Sequence, residues 1–129
     1  MIAQIKIHYN TGKNMTLTNL KYLQDITEGD RESMREIIIL FIEQVPEFIG
    51  NLKKHLAEEN YIALGKEAHK AKSSVMIMGM ESLGHDLKAL QLATIAGTGI
   101  ETYAKHVDRF ESECLVAVEE LKQDLTTLS

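Results

Sequence analysis

The stretch Glu67-Ala68-His69-Lys70-Ala71-Lys72-Ser73-Ser74-Val75-Met76-Ile77-Met78-Gly79 decides how this chain is read. Leu64, Ala68, Ala71, Val75 and Met78 recur at alternating spacings of four and three, the mark of one buried helix face. At 3.6 residues per turn, His69 points roughly 140° from the centre of that stripe and is predicted to face solvent. Lys72 lies one turn ahead of it and Gly65 one turn behind, both neighbours on the helix surface. An exposed imidazole with an ammonium beside it, and no side chain at Gly65, is an accessible nucleophile with an anion partner at hand.

Helices are predicted on both sides of this stretch. On the N-terminal side, 17–26 is a short amphipathic segment with Leu17, Leu20, Tyr22 and Leu23 among its apolar positions. Thr27-Glu28-Gly29-Asp30 breaks it, and Asp30 is a good N-cap for a long helix over 31–58. Met34, Ile37, Ile38, Phe41, Val45, Phe48, Leu52 and Leu56 fall in one sector of that helix. Pro46 lacks an amide donor and is expected to kink or interrupt it. Ile39 and Leu40 lie off the stripe; one of them is expected to seat the first helix, with an apolar docking patch as the alternative. Glu59-Asn60 then leads into the helix over 61–78, which Gly79 is placed to stop.

Beyond Gly79, a fourth helix starts near 82 and is expected to bury Leu83, Leu87, Leu90 and Ile95, ending at Gly97-Thr98-Gly99. The fifth covers about 100–125, with Tyr103, Val107, Phe110, Cys114, Ala117, Leu121, Leu125 and Leu128 close to heptad spacing. Short links between long helices imply antiparallel neighbours. The expected fold is therefore all-α: an up-down-up-down antiparallel four-helix bundle, with the short first helix capping one end. Residues 1–16 stand apart as a flexible leader before a bundle domain over 17–129. Within the leader, Ile5, Ile7 and Tyr9 alternate with polar residues as in a strand that has no partner.

Composition narrows the function. At 129 residues the chain fits one domain that can bury a core without disulfides or metal. A lone Cys114 suits a reducing compartment, here the cytoplasm. Nineteen acidic residues against fourteen basic ones leave a net charge of −5, which argues against nucleic acid as a partner. No run approaches the ~20 apolar residues of a membrane span. A bundle di-iron site needs inward carboxylates and paired Glu-x-x-His motifs, and no acid stands three residues before any histidine. Glu81 and His85 make only a surface pair, so no metal is expected. Cys114 falls in a buried stripe, and there is no Gly-x-Ser-x-Gly elbow, phosphate-binding glycine loop or dinucleotide fingerprint.

Most histidines on helices are plain surface residues, and His8, His55, His85 and His106 are read that way. His69 differs in its setting: Ile62, Gly65, Lys66, Lys72, Ser73 and Met76 share its side of the helix. Small, basic and exposed apolar residues around a reactive group suit a surface that docks another protein.

Ala68-His69-x-x-Lys72-Ser73-Ser74, followed by Gly79, resembles the histidine-containing phosphotransfer (HPt) domain, whose pattern is Ala-His-x-Leu-Lys-Gly-Ser with a glycine shortly after. The likeness extends to Leu17-Thr18-Asn19-Leu20, the turn over 27–30, the helix around Phe41 and Pro46, and the segment 83–90, or roughly 15–128 in all. It implies that His69 accepts a phosphoryl group from an aspartyl phosphate and passes it to another aspartate. Lys72 matches the lysine beside the phosphohistidine, and the Ser73 hydroxyl is available to a phosphoryl oxygen. Ile62, Gly65, Lys66 and Met76 are expected to border the docking site. The implied partners are response regulator receiver domains, a hybrid sensor histidine kinase, or both, with Mg²⁺ on the partner's receiver and none here. The chain is then a phosphocarrier, not an enzyme, and monomeric by default. A free imidazole titrates near ~6.5, which suits nucleophilic use at cytoplasmic pH.

There are departures from the pattern. Ser73 replaces the usual glycine, Ala71 the common leucine, and Gln91 stands where many members carry a glutamate, with little effect expected on His69. The alternative from another class is a helical adaptor that binds a response regulator or another protein without carrying phosphate.

Overall fold

The computed structural model describes residues 16–128. The strand and nearly all of the leader expected over 1–16, with His8, lie outside them. The described residues form five α-helices: α1 Lys21–Ile26, α2 Arg31–Ala57, α3 Tyr61–Ile77, α4 Glu81–Ala96 and α5 Tyr103–Leu128, with a 3₁₀ turn at Ile100–Thr102. No strand occurs among them.

The helix ends follow from local chemistry. The Asp30 carboxylate accepts the Ser33 amide at 2.9 Å and its hydroxyl at 2.7 Å, capping α2. Asn60 Oδ1 accepts the Ala63 amide at 3.3 Å and caps α3. At the end of α3, Gly79 takes φ +75°. Its amide donates to the Met76 carbonyl and that of Met80 to Val75, both at 3.0 Å. This paired closure needs a left-handed residue, which glycine supplies without a side-chain penalty.

Pro46 does not interrupt α2, which is continuous through it. The ring is exposed, so solvent can satisfy the carbonyl one turn back that has lost its amide partner. Meanwhile Phe41, Val45, Phe48 and Leu52 stay buried on both sides of Pro46.

The long helices touch in closed order: α2 on α3, α3 on α4, α4 on α5, and α5 back on α2. Side chains mark the seams. Ser74 donates to Gln44 at 3.3 Å, and Asn51 to Glu67 at 3.1 Å. Lys53 meets Glu111 at 2.8 Å, and Arg35 donates to the Leu125 carbonyl at 3.1 Å. His106 lies 2.9 Å from Asp86, and Arg109 donates to Ser82 at 2.8 Å. His106 is thus part of a charged seam and not a free surface residue. Edge-on ring pairs Phe48–Phe110 and Tyr61–Tyr103 fill the interior.

Two expectations about apolar positions are corrected. Ile39 and Leu40 are 37% and 53% exposed, so neither belongs to the buried core that holds α1. Leu20 and Leu23, both fully buried, join that core from α1's side. Ile95 is 73% exposed, because it falls on the strip of α4 that borders α3, away from buried Leu83, Leu87 and Leu90.

The entry into α1 is held at two points. The Asn19 amide donates to the Met78 carbonyl at 2.9 Å, beside the α3–α4 turn. Glu120 of α5 accepts the Leu17 amide at 3.0 Å, the Thr18 amide at 3.0 Å and the Thr18 hydroxyl at 2.8 Å.

Candidate functional site

Along α3, Leu64, Ala68, Ala71 and Val75 are buried and His69 is exposed, as the periodicity requires. The imidazole is not alone. Its Nδ1 lies 3.3 Å from Oε1 of Gln91, which reaches across from α4. A carboxamide oxygen is only an acceptor, so in the neutral ring this contact favours the proton on Nδ1 and the lone pair on Nε2. Gln91, to which the sequence assigned little effect on His69, therefore orients the ring.

The two helices come close because α3 carries a glycine where α4 carries a side chain. A Cβ on Gly65 would collide with Oγ1 of Thr94, so the buried glycine is the notch that Thr94 fills. Thr94 Oγ1 in turn donates to the Gln91 carbonyl at 2.7 Å, satisfying the hydroxyl inside the contact. Above this seam His69, Ile62, Gly65, Lys66, Lys70, Gln91, Thr94 and Ile95 line an open cavity of about 560 Å³. Ile62, 72% exposed, and Ile95 form its apolar rim.

Lys72, Ser73 and Met76 border a second hollow of about 760 Å³, with Asn19, Tyr22 and Gly79 among its other walls. The structure thus divides the predicted residues between two hollows. Ile62, Gly65 and Lys66 share the first with His69; Lys72, Ser73 and Met76 lie one turn along α3. Behind the site, buried Glu67 accepts from Asn51 of α2 and lies 3.7 Å from the Lys70 ammonium. That carboxylate faces α2 and leaves the wall around His69 without a negative charge.

Among the described residues no cluster of three or more His, Cys, Asp or Glu side chains is placed to hold a metal ion. Cys114 is fully buried, and that burial pushes its thiol up to about 12, far from a usable thiolate. No helix among the described residues is long and apolar enough to cross a membrane.

Thr94 carries no functional signal in the sequence, and Gln91 enters it only as a departure from the family's glutamate. For Gln91 spacing adds a second signal: Gly84, Gln91 and Ile95 fall on a single strip of α4. That strip becomes meaningful once it is known to face α3.

A family model for the Hpt domain matches residues 36–129, from within α2 to the end of the chain. No curated protein and no solved structure matches. Domains of this family are phosphocarriers, not enzymes, and interact with response regulator receiver domains. A histidine exposed on one helix of an all-helical fold, tied by its ring nitrogen to the next helix, agrees with that match: the chain belongs to the Hpt domain family and, through it, to two-component phosphorelay signalling.

Proposed function

We propose that His69 is the phosphoacceptor of a phosphorelay intermediate, taking its phosphoryl group from an aspartyl phosphate on a receiver domain and passing it to another. The carrying observation is the His69–Gln91 contact, which favours the Nδ1–H tautomer and points to Nε2 as the nucleophile on an exposed ring. In the forward step Nε2 attacks phosphorus and a P–N bond forms. The P–O bond to the aspartate breaks, and the carboxylate leaves with the electron pair. The positive charge then on the ring is shared with Nδ1–H, which Gln91 Oε1 accepts. Because such a transition state demands mainly positioning and charge neutralisation, the Lys72 ammonium and the Ser73 hydroxyl are the groups to steady the phosphoryl oxygens. Mg²⁺ and the acidic acceptor belong to the partner.

Ile62, Gly65, Lys66 and Met76 border the docking surface in this reading. The partners are receiver domains of response regulators, of a hybrid sensor histidine kinase, or of both, and the protein acts as a cytoplasmic monomer. The framework is an up-down-up-down antiparallel bundle with α1 across one end. The seams support it: Gln44 meets Ser74 while Asn51 meets Glu67, and Lys53 meets Glu111 while Arg35 meets Leu125. In each pair of helices, numbers rise along one as they fall along the other.

The test is phosphoryl transfer from a phosphorylated receiver domain to wild type and His69→Gln side by side. Acid-labile, alkali-stable label on wild type alone is the expected result. Equal label on both, or binding of receivers without label on either, overturns it; the latter outcome is the adaptor's.

A further inference from the structure

We propose that Lys88 is a second phosphoryl-binding cation, supplied by α4 opposite Lys72 of α3. This rests on the reading of His69 as the phosphoacceptor. On α4, Gly84, Lys88, Gln91 and Ile95 recur at spacings of four, three and four, which places them on one strip of the helix. The structure fixes that strip against α3 at two levels. At Gly84, a Cβ would run into the Met76 sulfur and come within 3.8 Å of Lys72 Cγ. At Gln91, the side chain reaches His69.

Lys88 stands between those two levels, as Lys72 stands between Met76 and His69 on the facing helix. Both helices therefore carry one lysine at the same stretch of seam. Lys88 is exposed and makes no ion pair with any described residue. The nearest acids of the seam are engaged or set aside. Glu67 turns to Asn51 and Lys70. Asp86, two residues before Lys88, turns to His106 and Arg109 of α5. Glu81 borders the hollow beyond Lys72.

A phosphoryl group on Nε2 carries two negative charges on its oxygens. One flexible ammonium approaching from each helix brackets it, and a lysine stem reaches the bond from one turn away. The net charge of −5 makes this local concentration of cations stand out. Lysines 66, 70, 72 and 88 all lie on the two helices that meet at His69.

The test uses the full chain and phosphoramidate, a small anionic donor that requires no protein partner. Its P–N bond breaks, the already protonated amine leaves as ammonia with the bonding pair, and the phosphorus–Nε2 bond forms. Initial labelling rates are compared for wild type, Lys88→Gln, Lys88→Arg and Lys105→Gln, the last removing the same charge from α5. Lys88→Gln is expected to label about three- to fivefold more slowly. Lys88→Arg should keep the wild-type rate, and Lys105→Gln should match wild type. Labelling of Lys88→Gln at the wild-type rate, or equal slowing by Lys105→Gln, overturns the proposal while leaving His69 as the acceptor. No label on wild type removes the acceptor itself, and Lys88 with it.

Discussion

Oε1 of Gln91 lies 3.3 Å from Nδ1 of His69, a contact between residues 22 apart in the chain that spans the α3–α4 seam. It turns an exposed imidazole into an oriented one. Replacing Gln91 with leucine should leave the ring free to turn and to exchange tautomers. The loss of one hydrogen bond of about 1 kcal/mol predicts a transfer rate roughly fivefold lower. Single-turnover transfer from a phosphorylated receiver measures it, and unchanged thermal melting separates orientation from folding. Gln91→Glu keeps an acceptor facing Nδ1 and should retain most of the rate.

The α3–α4 seam depends on Gly65. Gly65→Ala drives a methyl into Thr94 Oγ1 and should cost about 1–3 kcal/mol in urea unfolding. Adding Thr94→Ala should recover part of that loss, because the colliding oxygen is gone. Gly79→Ala should be worse than Gly65→Ala. Its added methyl meets the Asn19 backbone carbonyl, which cannot swing aside, and φ +75° is itself unfavourable for alanine.

Glu120 latches the start of the bundle to α5 by accepting two amides and a hydroxyl. Glu120→Ala leaves the fully buried Thr18 without its partner and should destabilise by about 1.5–3 kcal/mol. Hydrogen exchange should report the same event locally, with the Leu17 and Thr18 amides losing protection before those of α2 or α5.

The cap on α2 gives a pH dependence of known sign. The Ser33 hydroxyl and then its amide hold the Asp30 carboxylate below the ordinary aspartate value. A carboxylate depressed in the folded state favours folding above its unfolded value, and that contribution disappears as pH falls through the folded one. Asp30→Ala should therefore melt lower than wild type at neutral pH. The gap should close on acidification from about pH 4 downward. Melting curves of the two proteins across that range test the sign; a gap that widens in acid contradicts it.

Cys114 offers a readout of global opening. With the thiol pushed up to about 12 by burial, alkylation of the native protein at neutral pH should be slow. The rate should rise with urea in step with unfolding. Fast native labelling would contradict the packing of α5 described above.

How much of this was legible in the sequence varies by residue. Asp30, Asn60 and Gly79 act on amides or carbonyls within a few residues of themselves; residue type and spacing mark Asp30 and Gly79 as helix ends, whereas Asn60 reads only as part of a connection. The exposure of His69 followed from the four-three spacing of its neighbours. Ile95 shows the limit of composition: an apolar residue reads as buried until it is known which strip of α4 faces the core. Pro46 reads as a kink or an interruption because the missing amide is a local fact, whereas the packing of Phe41, Val45, Phe48 and Leu52 that keeps the helix uninterrupted is not.

By itself the sequence determined an all-helical chain, the main breaks between its helices, and one histidine turned away from the buried face of α3. These depend on interactions within a turn or two, which periodicity and capping chemistry encode directly. Only the tertiary structure decided that Gln91 would face His69, that Thr94 would fill the notch at Gly65, and that Glu120 would hold Leu17 and Thr18 from a hundred residues away. Those pairings depend on the register between helices. That register is set by side-chain volumes meeting across a seam, and no single helix carries it.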